Sequence, residues 1–527
     1  MPYLPQRHGR KISQEYSYFT AILLITVWMG LTLQSCGTKD IGQAGSIPSG
    51  LTAPIACPDP NWSPSTETPS DNLTDAALSV SNVVEFGAKC NGIANDAVAI
   101  QAAVDAASPY TQIVLPRICG VGSAGIVLDG KSHLEITGFG IGGIKVLGVS
   151  TKSLSTFGAT TLVIKGGMNV RVTGLSVDGN AFETNLIGMY QCVECEISSN
   201  RTTSGGLNAA IYALGGTRNK ILFNTVQSTI GNARGYWIGS VNTIEVEDEP
   251  DVEGNRCYLA SGTCFVLTAN GGRVTNNLAD GASGSGFAFS ASGDSASNNM
   301  LVAGNASRNN RFHGFQSDAS TAMDRTHAVA LTGNFAELNA KSGFYVVRAM
   351  DWAVADNVGR DNGISGFQVE DSSGIVMTGN QSCDSRVGPN RTQQTGFIVN
   401  SQTSANGTQD ISLIRNVASN HAQQGILITN AFPGTGSNFT VVGNTIINNS
   451  NRGLSIIPAV DTDLTHIVVS DNVALNNAVA DIEVRASDVN LGPNQYGTLI
   501  VSPPRQASLI PIRHFVPSLS LSFLVLF

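Results

Sequence analysis

Among the residues from position 313 to 370 whose side chains can move a proton or stabilise a charge, His313, Asp318, Tyr345, Arg348 and Glu370 are the catalytic candidates. Their spacing is regular. Gln316, Tyr345 and Gln368 recur at intervals of 29 and 23 residues, and Asp318, Val347 and Glu370 recur at the same two intervals. An imidazole, a phenol and carboxylates are the groups of general acid–base catalysis, and a guanidinium stabilises a developing anion. Around them Arg311, Gln316, Arg325, His327, Lys341, Trp352, Gln368 and Asp371 add donors, acceptors and an aromatic face, the set that recognises hydroxyl-rich rings. On a carboxylated sugar, Arg or Ca²⁺ would neutralise the carboxylate while His, Lys or Tyr abstracts the neighbouring proton. On a neutral sugar chain, Asp318 and Glu370 would be the acid/base pair of hydrolysis.

The elements that must position these residues are repeats. An apolar-x-x-Asn pattern ends at Asn200, Asn224, Asn255, Asn277, Asn305, Asn334, Asn357, Asn380, Asn416, Asn444 and Asn472. Gly286, Gly314, Gly343, Gly366, Gly425 and Gly453 each follow their Asn by nine residues, and Gly396 follows Asn380 by sixteen, an insertion of seven. After each Gly the residues alternate, as in "GFQSD", "GFYVV" and "GFQVE", which predicts a strand with one buried face. Gly and Asn suit left-handed corners. So short a unit cannot bury its apolar face alone; stacking the units about 4.8 Å apart would, and stacked asparagines would bond from coil to coil. The expected fold is all-β, a right-handed parallel β-helix. Positions two and four after each Gly then face outward. Three consecutive coils, 305–371, carry the polar set, with Asp318 and Glu370 two coils apart, about 10 Å, a separation that favours inversion.

The bulk composition agrees. The 527 residues include 57 glycines and only 13% charged residues, suiting short strands and tight turns. A net charge of −9 argues against nucleic acid as a partner. At the N-terminus, Arg7, Arg10 and Lys11 precede an apolar run ending in "LQSC", the order of an export signal. That ending resembles the lipobox of bacterial lipoproteins, which implies lipidation of Cys36 and a membrane anchor. The expected organisation is a signal peptide over 1–36, a Pro/Ser/Thr-rich tether over 37–76, the β-helix over 77–500 and a tail over 501–527. The protein is expected in the cell envelope or secreted. Eight cysteines remain after Cys36, an even number that permits disulfides; Cys192-x-x-Cys195 has metal-like spacing but no second ligand pair nearby.

Residues 82–107, "NVVEFGAKCNGIANDAVAIQAAVDAA", resemble the opening signature of the pectate-lyase superfamily, in which an Ala-rich helix caps the first coil. "QIVLPRICGVGSAGIVLDGKSHLEITGFG" (112–140) and "NVRVTGLSVDGN" (169–180) are similar to its first coils. The resemblance covers roughly 80–500. It implies the β-helix, with Asn95 or Asp96 as helix N-cap, and a polysaccharide as partner. It leaves the reaction open, since the superfamily includes lyases, hydrolases, uronan epimerases and binding proteins. Polygalacturonase-type N-T-D, D-D, G-H-G and R-I-K are absent. Arg311-Phe312-His313-Gly314-Phe315 is similar to the R-H-G-F coil of alginate C5-epimerases, whose D-P-H motif is absent from "TCFVLTAN".

The acidic run "EVEDEPDVE" (245–253) offers Glu247, Glu249, Asp248 and Asp251 as oxygen ligands, for which calcium is the fitting metal. The sequence therefore predicts an exported polysaccharide lyase, hydrolase or C5-epimerase; the alternative is a non-catalytic glycan-binding or adhesive β-helix. It says nothing of oligomeric state.

Overall fold

The computed structural model describes Cys57 and residues 79–150, 158–240, 246–292, 295–319, 325–402, 407–430, 436–458, 464–486 and 488–501. The signal segment with Cys36, the tether apart from Cys57, and the tail beyond 501 lie outside the described residues. So do the side chain of Asp318 and all of Asp324.

Three long parallel sheets run between Ser79 and Val501, and successive coils contribute short strands to each in turn. A typical coil passes from Phe344–Val347 to Ala353–Ala355 and then Val358–Arg360 before the next coil begins at Ser365–Glu370. The chain is a parallel β-helix, as the repeat predicts. We call the sheet of Gly-led strands the first face, that of Ala353–Ala355 the second and that of Val358–Arg360 the third. The first-face register matches the outward row read from sequence: Ala288, Gln316, Tyr345, Gln368, Ile398, Leu427 and Ser455 are successive partners.

The inward row explains the cooperativity of the stack. Tyr236, Phe265, Phe287, Phe315, Phe344, Phe367 and Phe397 form one column of rings, with centroids 4.6 to 4.9 Å apart and nearly parallel planes. Ring spacing equals coil spacing, so each aromatic buries its neighbour on both faces. At one end the helix Ala97–Ala106 turns Ile100, Ala103 and Val104 onto the first coil. Asn95 accepts from the Ala97 N–H at 3.2 Å, whereas the Asp96 carboxylate accepts instead from the backbone of Lys89, Cys90 and Gly120. Disulfides join Cys90 to Cys119, Cys257 to Cys264, and Cys57 to Cys383; Cys192 and Cys195 are free and buried.

The asparagines form the expected ladder between the second and third faces. From Asn200 to Asn494 each amide donates to the next Asn Oδ1 at 2.9 to 3.0 Å, across intervals as different as 22 and 36 residues. The same Oδ1 also takes the backbone N–H of the preceding Asn. A second ladder escaped the sequence reading. Asn310, Asn339 and Asn362 stack likewise at the next corner, as do Asn449 and Asn477. Between these runs Gln393, carried by the seven-residue insertion, and then His421 take the place of asparagine.

The expectation for the repeat glycines is corrected. Gly286, Gly314, Gly343, Gly366, Gly425 and Gly453 do not have positive φ; the residue before each ladder Asn from Asn200 to Asn472 does, for instance Phe223, Asp356 and Arg415. The repeat glycines are small because the third-face strand of their own coil comes back too close to them. A Cβ on Gly366 would sit 2.1 Å from Ser382 Oγ, and one on Gly286 2.0 Å from Ser307 Oγ.

His421 carries a testable pH effect. It is wholly buried, its Nδ1 bonds Asn449 Oδ1 at 2.7 Å and its Nε2 bonds Ser382 Oγ at 2.9 Å. Since Oδ1 can only accept, Nδ1 carries the proton and the ring is neutral. Burial pushes its pKa down to about 4. A depressed pKa gives stability that is complete above the unfolded value, about 6.5, and is lost as pH falls through the folded one. His421→Asn should therefore keep the ladder while removing about 3 kcal/mol of acid destabilisation between about pH 6.5 and 4. Urea unfolding of both forms across that window is the check.

Candidate functional site

The first face over coils 305–371 brings together most of the residues singled out by spacing. Gln316, Tyr345 and Gln368 are direct register partners on neighbouring strands, and Glu370 pairs with Val347. All four are partly open to solvent. A small hydroxyl network beneath them fixes their orientation. Ser285 donates to Gln316 Oε1 at 2.7 Å, Ser342 donates to Gln368 Oε1 at 3.0 Å, and Ser365 donates to Ser342 at 3.0 Å. Gln368 in turn donates to Glu370 Oε2 at 3.2 Å. Each of these serines sits one residue before its repeat Gly (286, 343 and 366), a signal that inspection of charged residues alone passes over.

Tyr345 is the centre of the patch. Its ring lies flat on the imidazole of His313, centroids 4.4 Å apart and planes 15° apart. Its phenol lies in the electrostatic field of the Glu370 carboxylate. Burial first, and then Glu370, hold the phenol well above its ordinary pKa, opposed by the Arg348 guanidinium. Burial and the neighbouring Asp371 raise the Glu370 pKa, opposed by Tyr345, by the bond from Gln368 and by Arg348. Phenol, carboxylate and guanidinium thus share one electrostatic environment. Arg348 adopts a left-handed backbone, φ 50°, at the end of its strand, and its N–H bonds the Glu370 carbonyl at 3.0 Å.

His313 is corrected as a proton acceptor. Its Nδ1 accepts the Ser342 N–H at 3.3 Å, and burial, with the charge of Lys341, pushes its pKa down to about 3. The ring is a neutral Nε2–H tautomer, able to donate a hydrogen bond and to support the Tyr345 ring. Next to it Lys341 places its ammonium 4.5 Å from the Phe312 ring, and Arg311 is exposed.

Other expectations are corrected by burial. Trp352 is 1% exposed, meets Phe289 edge-on and donates Nε1–H to Thr326, so it belongs to the core and offers no platform for a sugar. Asp371 is buried, with its carboxylate accepting the Gln402 N–H at 2.8 Å. Arg325 and His327 begin the second-face strand of their coil, where Arg325 donates to Ser373 at 2.9 Å; His327 pairs with Met350 rather than joining the Tyr345 patch.

The acidic run does not make a calcium cage. Glu247 points inward, fully buried, and accepts from Asn219 at 2.7 Å and the Gly216 N–H at 2.9 Å; burial raises its pKa to about 7. Asp248 accepts from Asn270, Asp251 pairs with Arg273 at 2.8 Å, and Glu249 is the left-handed corner between them. Among the described residues no three of these carboxylates converge.

Residues 314–491 match the NosD family, described as a periplasmic copper-binding protein. No curated relative matches the chain. Among solved structures, the A-module of the Azotobacter vinelandii mannuronan C-5 epimerase AlgE4 is 15% identical, covering 82% of this chain and 100% of its own, with a TM-score of 0.36. The periplasmic alginate epimerase AlgG is 13% identical over 75% of this chain and 84% of its own, at 0.41. A mutant tailspike of E. coli bacteriophage HK620, in complex with pentasaccharide, is 14% identical over 78% of each chain, at 0.45. At such scores the architecture rests on the strand pairing above.

The described residues of 314–491 bring together no set of ligands that fits a copper centre. Its described histidines are dispersed: His327 on the second face, His421 with both nitrogens engaged, and His466 exposed beside Asp488. Among the described residues, one group of three metal-type side chains converges: Cys90, Asp96 and Cys119. Its cysteines are disulfide-bonded and it lies outside the matched stretch.

Proposed function

We propose that this protein is an extracytoplasmic polysaccharide-active β-helix that binds a uronic-acid polysaccharide across the first face and transfers a proton at C5 of a bound residue. The reading rests on one observation, the Tyr345 phenol stacked on His313 and placed, on the next strand, beside a Glu370 carboxylate and an Arg348 guanidinium whose charges it feels. Hydrolysis needs two carboxylates flanking one bond; among the described residues the carboxylate next to Glu370, Asp371, is buried and occupied by a backbone donor. Proton abstraction beside a carboxylate needs instead a base, a route for its proton, and a cation for the enolate. Tyr345 takes the C5 proton as its own passes to Glu370; Arg348 meets the substrate carboxylate; His313 Nε2–H, neutral, donates without competing for the proton. Departure of the C4 oxygen completes a lyase reaction, and return of a proton to the opposite face completes an epimerisation. The expected export signal and two similar proteins named as periplasmic support this location, and the names of the alginate and mannuronan epimerases support this substrate class.

The pH dependence has a defined sign. Glu370 must be ionised to accept the proton, and its pKa is raised, so kcat/KM should climb with pH through a value above the usual carboxylate range and plateau beyond it. Initial rates on polyuronate across pH 4 to 8 test this, and an acid limb at an ordinary carboxylate pKa would count against Glu370.

A further inference from the structure

A second groove lies on the second face, over the first coils, away from Tyr345. Its volume is about 510 Å³, within the range of ligand pockets. Two rows of side chains line it. The corner row runs Tyr110, His133, Asn169, Glu194 and Arg218, every one in the left-handed region, φ 51° to 64°. The strand row, two residues further on, runs Glu135, Arg171, Glu196 and Lys220 as successive register partners. Five coils span roughly 19 Å along the axis, a trough for several linked rings rather than one small molecule.

The chemistry of the lining selects the ligand. Three carboxylates (Glu135, Glu194, Glu196) face three cations (Arg171, Arg218, Lys220), and the signs alternate along the axis. Arg218 pairs with Glu194 at 2.6 Å and Arg171 with Glu196 at 3.6 Å, so neither sign is left in excess. A polyanion would meet the three carboxylates and a polycation the three cations. An uncharged polyhydroxylated chain meets acceptors and donors in alternation, the pattern that hydroxyls satisfy. At one end Tyr110, 46% exposed, leans on His133 with centroids 4.8 Å apart and planes tilted 37°. His133 covers part of the phenol and leaves an apolar surface toward solvent, suited to the C–H face of a sugar ring.

We propose that this groove is a second carbohydrate site, specific for a neutral oligosaccharide and separate from the uronan face. Calorimetric titration of the folded chain with cellohexaose, mannohexaose and xylohexaose, beside an oligogalacturonate of equal length, tests it. At least one neutral hexaose should bind saturably. Tyr110→Ala should weaken that binding about tenfold, Arg218→Ala should weaken it as well, and Glu370→Gln should leave it unchanged. Both substituted side chains are at the surface, and unaltered thermal unfolding of each variant verifies its fold. The proposal is overturned by absence of binding to all three neutral chains, by undiminished binding in Tyr110→Ala, or by an oligogalacturonate that binds more tightly and loses affinity in Tyr110→Ala.

Discussion

Replacing Asn357 by Ala should cost about 3–5 kcal/mol of stability, although the residue is far from any proposed chemistry. Asn357 is fully buried. Its amide donates to Asn380 Oδ1 and the Leu331 carbonyl, both at 3.0 Å, and its Oδ1 accepts the Asn334 N–H at 2.8 Å and the Asn334 amide at 2.9 Å. Truncation removes four bonds. It leaves the Asn334 N–H without that acceptor in a corner closed to water, and each such orphan costs about 1–3 kcal/mol. Asn357→Asp should be worse at neutral pH, because a carboxylate has no proton to donate where Asn380 Oδ1 and Leu331 O wait. Equilibrium urea unfolding measures both. A loss below about 1 kcal/mol for the Ala variant would mean that the ladder marks the turn without supporting it.

The second large effect concerns activity. Tyr345→Phe keeps the ring that stacks on His313 and deletes only the hydroxyl. The fold should be unaffected, while kcat on the responsive polyuronate falls by about 10²–10⁴, the range for a lost general acid–base group. Glu370→Gln should produce a comparable fall, and the double variant should lose little more than either single one, because the two side chains act on one proton. Additive losses would separate their roles. Retention of wild-type turnover by Tyr345→Phe would remove the phenol from the mechanism. The His421→Asn measurement is independent of both, since that ring lies in the second ladder.

The scaffold was legible because the physics that builds it is periodic. Asparagines that must hydrogen-bond to their own images recur in register, and the Gly-led strands repeat the same alternation, so the outward row of Gln316, Tyr345 and Gln368 could be counted directly. What the repeat hides is the reason for each mark. Glycine reads as a corner, yet here it makes room for serine and asparagine side chains that the third face of its own coil brings back against it. The second ladder stayed hidden because Gln393 and His421 interrupt its asparagines.

The site was legible as a row and illegible as chemistry. Spacing cannot tell that Trp352 turns inward to donate to Thr326, that Asp371 is spent on Gln402, or that His313 has its Nδ1 committed to Ser342. Corners rotate these residues out of the period-two rule that governs strands. The acidic run failed for the same reason: Glu247, Asp248 and Asp251 straddle a left-handed corner at Glu249 and diverge.

The most direct measurement of proton transfer at the first face is proton NMR of polyuronates incubated with the protein in deuterated water. Deuterium at C5, or an unsaturated uronide end, should accumulate with the wild-type protein and fail to do so with Tyr345→Phe. Binding without either product, or new reducing ends without unsaturation or exchange, would contradict the account.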